Sequence, residues 1–134
     1  MTYCNRLCLF ASLIMLQFNI KAQSNETYSL TRLFSNRKPN TLAKDKATIQ
    51  QTGEFAFQFE TECGKIDAQF KKRKKLKLQL LNSQSEPCSD ILLGIFEDIR
   101  TNLMKTNKIS ALNTQLIFFA KKDTLFIFEK QKNN

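Results

Sequence analysis

The chain has 134 residues, of which 42% are hydrophobic and 25% charged, with a formal net charge of +9; that is enough for one compact domain and too little for two. It contains no histidine, which excludes a Ser-His-Asp triad, a Cys-His dyad and a His-ligated zinc or haem. Its three glycines, Gly53, Gly64 and Gly94, stand far apart, so neither a P-loop nor a dinucleotide fingerprint is present, and the inventory points to no cofactor, no metal and no standard enzyme.

The N-terminal segment is set apart from the fold. After Arg6, an apolar run from Leu7 to Leu16 is followed by Gln17 to Ala22 and then by polar residues. A basic residue, a short apolar stretch and small residues after it are the order of a secretory signal peptide, expected over 1–24 with cleavage after Ala22 or Ser24. The run is too short for a membrane span, which needs about 18–20 apolar residues. Cys4 and Cys8 fall inside this segment, and neither follows the apolar run where an acylated lipoprotein cysteine would sit. The mature chain, 25–134, is therefore expected to be exported to the periplasm or secreted, soluble rather than lipid-anchored. Loss of Arg6 and Lys21 lowers its charge from +9 to +7.

The mature chain then reads mostly as strands. Tyr28 to Phe34 alternates, less cleanly at Leu33-Phe34, and predicts a first strand. Asn36 to Asn40 is a polar connection, Ala47 to Gln50 a short second strand, and Gln51-Thr52-Gly53 its turn. Phe55, Phe57 and Phe59 alternate with polar residues, placing an aromatic face inward. Ile66, Ala68 and Phe70 alternate before a basic block, and Leu76, Leu78 and Leu80 alternate after it, which predicts a hairpin with the block at its tip. Between Cys88 and Lys105, Ile91, Leu92, Ile95, Phe96, Ile99 and Leu103 recur every three or four residues, the signature of a helix with one apolar stripe. Ser85 or Ser89 is its candidate N-cap, and Pro87 suits its first turn. Leu116 to Phe119 and Leu125 to Phe128 bracket Lys121-Lys122-Asp123 as a closing hairpin. Both of its strands are apolar on both faces, so the helix is expected to cover their outer side.

Two cysteines remain in the mature chain, Cys63 and Cys88. In an oxidising compartment an isolated pair is most simply one disulfide. The competing reading is a reactive Cys88 thiolate beside the helix start, which lacks a histidine base. The basic block, Lys71, Lys72, Arg73, Lys74 and Lys75, also has two readings. It is either a solvated loop tip or a contact with an anionic envelope component, lipid or polysaccharide. No aromatic residue interrupts the charges between Phe70 and Leu76, which argues against nucleic acid. The best acidic constellation, Glu60 and Glu62 with Asp67, is more simply a set of solvated charges than a catalytic pair. The ten mature-chain phenylalanines either build the core or line a cavity for a small hydrophobic ligand.

This order of elements resembles the META domain family of HslJ-like exported proteins. The residues that carry the resemblance are Tyr28-Ser29-Leu30 at the first strand, Glu62-Cys63-Gly64 and Ala68-Gln69-Phe70 at the centre, and Ser85-Glu86-Pro87-Cys88 before the helix. Asn113 to Phe118 and Thr124 to Phe128 are similar to the closing strands. It implies an α+β domain, a small antiparallel, strongly curved or barrel-like β-structure with one helix packed on it. It also implies a non-enzymatic, stress-related bacterial envelope protein that acts by binding. The alternative is a carrier of a small hydrophobic ligand.

Overall fold

The structure, a computed structural model, describes residues 26–131; the expected signal peptide, with Cys4 and Cys8, lies outside the described residues. Nine strands form one sheet: β1 (Thr27–Ser35), β2 (Lys38–Pro39), β3 (Ala47–Gly53), β4 (Ala56–Thr61), β5 (Gly64–Lys72), β6 (Leu76–Ser85), β7 (Lys108–Leu112), β8 (Gln115–Ala120) and β9 (Asp123–Lys130). A 3-10 turn spans Thr41–Ala43, and the one helix among the described residues, α1, runs over Asp90–Lys105. The strand order is β6-β5-β4-β3-β1-β9-β8-β7, with β2 paired to the end of β1. Every pairing is antiparallel. The sheet is curled, with the helix packed on it, so the curved α+β class is the observed one.

Curvature comes from irregularities in the ladder. Register shifts interrupt β1 between Leu30 and Arg32, β3 between Gln51 and Gly53, the β5–β6 pair at Gln69 and Phe70, and the β8–β9 pair at Phe118 and Phe119, where the extra residue is Leu125 of β9. Each extra residue bends its strand and sharpens the right-handed twist. The two edges then meet at one end, where the Leu76 N–H donates to the carbonyl of Asn107, one residue before β7 (3.1 Å). The same shifts explain the weak alternation in the sequence. In β1 the bulge returns Leu33 to the inner face one position out of phase, where it is fully buried. In β6 it turns Leu80 outward, 49% exposed, and Leu81 opposite Ala68 packs against the core instead. The expected inward run Leu76, Leu78, Leu80 therefore holds only for its first two members.

The concave side carries a single core. Tyr28, Leu30, Ile49, Phe57, Phe59, Ile66, Phe70, Leu116, Phe118, Phe126 and Phe128 are all buried there. Phe57, Phe59, Phe70, Phe118, Phe126 and Phe128 touch ring to ring, with centroids 4.5–6.5 Å apart and mostly edge-on, the geometry that aromatic quadrupoles favour. These rings fill the inside of the curl.

Helix α1 is capped by Ser89, whose side chain accepts from the Leu92 N–H, so Ser89 and not Ser85 is the N-cap. It buries Ile95, Phe96, Ile99 and Leu103 in the same core, while Ile91 stays exposed. It meets β1 and β5, and the outward residues of β5, Lys65, Asp67 and Gln69, are exposed. The helix therefore closes the concave side, contrary to the expectation that it covers the outer faces of β8 and β9. Ile117, Phe119 and Ile127 remain half-buried outside, where Ile117 and Ile127 lie opposite each other and the Lys108 ammonium sits over the Phe119 ring. A buried amide locks the helix to the sheet: Asn102 Nδ2 donates to the carbonyls of Phe34 (3.0 Å) and Leu125 (3.3 Å). That satisfies two carbonyls at a place where an unpaired one would cost about 1–3 kcal/mol.

Two elements depart from the sequence expectation. The polar connection after β1 contains the two-residue strand β2, and Gln51-Thr52-Gly53 continues β3, so the turn falls at Glu54-Phe55 instead. Gln51 holds that turn, donating through Nε2 to the carbonyls of Gly53 and Glu54. Phe55 is thereby displaced from the inward aromatic row to the rim of the curl. The sequence predicts no strand at β7, whose five residues, Lys-Ile-Ser-Ala-Leu, are too few to establish a period.

Candidate functional site: a lysine-rimmed mouth

The two ends of the curl differ in chemistry. One end holds the disulfide. Cys63 in the β4–β5 turn is bonded to Cys88 in the loop before α1, with Cα atoms 5.3 Å apart. Around it, the Cys63 N–H donates to Thr61 Oγ1 (3.0 Å) and the Glu86 N–H donates to the Cys63 carbonyl (2.6 Å). Gly64 completes the corner at φ +140°, and a Cβ there would overlap the Gln84 carbonyl of β6; only glycine combines that backbone angle with so close an approach. As Cys88 is disulfide-bonded, the reactive-thiol reading does not hold.

The opposite end gathers the β3–β4, β5–β6 and β8–β9 turns with the start of β7. A groove of about 530 Å³ opens among them. Its rim is Lys72, Lys74 and Lys75 from the β5–β6 hairpin, Lys108 from β7, and Lys121 and Lys122 from the β8–β9 turn. Its floor is apolar: Phe55, Leu76 and Ile109. No carboxylate lines it. Glu54 lies in the β3–β4 turn and Asp123 opens β9; Asp123 is paired with Arg37 (3.1 Å), outside the groove.

One residue ties the three lysine-bearing segments together. Asn107 accepts the Leu76 N–H on its carbonyl (3.1 Å), donates its own N–H to Phe119 (2.9 Å), and accepts the Lys121 N–H on Oδ1 (3.1 Å). The last bond fixes the turn with Lys121 in the left-handed region at φ 57°, a conformation that glycine or asparagine adopts more cheaply than lysine. Lys72 lies over the Phe55 ring of the groove, 5.9 Å from its centroid, whereas the Lys108 ammonium lies over Phe119 on the outer face (5.8 Å). The ammonium groups of Lys74, Lys75, Lys121 and Lys122 make no ion pair or side-chain hydrogen bond among the described residues.

The basic block Lys71–Lys75 thus sits at the tip of the β5–β6 hairpin, exposed, but it is not one surface. Lys72, Lys74 and Lys75 line the mouth, whereas Lys71 and Arg73 line a separate groove of about 240 Å³ with Lys77, Leu78 and Gln79. Alternation along the strand ends divides them. Sequence reasoning missed Lys108, Lys121, Lys122, Phe55 and Asn107 as parts of a site. The acidic residues Glu60, Glu62 and Asp67 are exposed on the outer face and in the β4–β5 turn, with Glu60 opposite Lys65. Elsewhere, burial raises the Asp98 carboxyl above its ordinary pKa, while a hydrogen bond from Ser35 (3.3 Å) and nearby Lys105 pull it down. It lies on α1, away from the mouth.

Among the described residues no group of three or more His, Cys, Asp or Glu side chains could hold a metal ion. No helix among them is long and apolar enough to cross a membrane. No protein-family pattern, curated protein or solved structure matches the chain.

Proposed function

We propose that this chain is an exported, non-enzymatic, META-like protein that acts in the bacterial envelope, in a stress-related role, by binding an anionic component through its basic end. The apolar run before Lys21 and the Cys63–Cys88 disulfide support export, since such bonds persist in oxidising compartments. The observation that carries binding is the convergence of six lysines from three segments around a groove without a carboxylate. Like charges held together destabilise a fold, which could instead disperse them. The carrier of a small hydrophobic ligand finds less support, because phenylalanine rings in mutual contact occupy the interior.

Cosedimentation with anionic vesicles and with an acidic polysaccharide tests this reading. Binding to at least one should fall steeply as salt rises from about 0.05 to about 0.5 M, because the Debye length shrinks from about 14 Å to about 4 Å. No binding at low salt, or binding indifferent to salt, would contradict it.

A further inference from the structure

The mouth combines two features that an acidic polymer alone would not use together. Its rim is cationic throughout, and its floor is three apolar side chains, Phe55, Leu76 and Ile109, each only half-buried. A carboxylated or sulfated polysaccharide would meet the lysines and leave the floor wet. An anionic lipid presents a phosphate and, beyond its glycerol ester linkages, apolar carbons. We infer that the mouth is a docking site for the phosphate headgroup of an anionic lipid, the lysines holding the phosphate and the apolar side chains lying against the carbons next to it. The inference rests on the binding function proposed above and narrows it to one ligand class and one face of the hairpin.

The geometry supports a built site over a diffuse charge. Lys72 lies over the Phe55 ring of the groove, and Asn107 fixes the spacing of the three segments. The β8–β9 turn keeps a lysine at a left-handed position where glycine would be less strained.

The test uses vesicles of phosphatidylcholine with and without phosphatidylglycerol, and two charge-matched variants. Lys72→Ser, Lys74→Ser and Lys75→Ser together remove three cations from the mouth. Lys71→Ser, Arg73→Ser and Lys77→Ser remove three from the other groove. Each lysine near an anionic bilayer accounts for roughly a fivefold factor, so the first variant should bind roughly 100-fold more weakly. The second should bind within a few-fold of the original chain. Lys121→Gly should raise the melting temperature slightly yet weaken binding. Equal losses in the two triple variants would overturn the mouth and leave the broader binding function standing. Preference for an acidic polysaccharide over the anionic vesicles would overturn the lipid assignment. No binding of the original chain to either would remove the function on which the inference rests. Melting curves of all variants confirm that they fold.

Discussion

Replacing Phe118 with alanine should destabilise the domain by about 3–5 kcal/mol, the usual cost of deleting a buried aromatic ring. Phe118 is fully buried and lies at the centre of the aromatic cluster, within ring contact of Phe57, Phe59, Phe70, Phe126 and Phe128. Those neighbours belong to β4, β5 and β9, which are held by backbone ladders, so they cannot all collapse into the space left behind. A large residual cavity follows, and the cost belongs at the upper part of the range. Phe119, one residue on and half-buried outside, is the internal comparison; Phe119→Ala should cost much less. Urea denaturation followed by circular dichroism measures both. Near-equal losses would mean that β8 presents its other face to the core.

Removing the disulfide with Cys63→Ala and Cys88→Ala should cost roughly 3–4 kcal/mol, from the loop-closure entropy restored to the unfolded chain. The bond closes a separation of 25 residues that includes all of β5 and β6. It joins the end of β6 and the start of α1 to the β4–β5 turn, where the Glu86-to-Cys63 backbone bond and the β5–β6 ladder would remain. Reduction of the original chain should reproduce the loss seen in the double variant. A reduced protein as stable as the oxidised one would show that unfolded-state structure replaces the constraint.

Much of the architecture was legible because it is written in local periods. Phe57 and Phe59 fix the face of β4, the three-four spacing of Ile95, Phe96, Ile99 and Leu103 fixes α1, and the lone cysteine pair fixes one crosslink. What the sequence hid depends on register or on distance along the chain. A one-residue bulge reverses every side chain beyond it, which is why Leu33, Leu80 and Leu81 broke their alternation. Covering the concave side with α1 depends on how far the sheet curls, and no local pattern records that. The mouth was half visible. The block Lys71–Lys75 stood out as a run, yet strand alternation sends its members to two grooves. Lys108, Lys121 and Lys122 join it only because the sheet brings its two edges, β6 and β7, together at Asn107.

The central claim, that three separate segments form one anion-binding mouth, is tested most directly by backbone amide chemical shifts during titration with a soluble short-chain phosphatidylglycerol. The account predicts that the amides of Lys72 to Leu76, Asn107 to Ile109, and Lys121 and Lys122 move together along a single saturation curve. It further predicts that the shifts vanish at high salt. Shifts confined to Lys71, Arg73 and Lys77, or spread evenly over all exposed lysines, would contradict it.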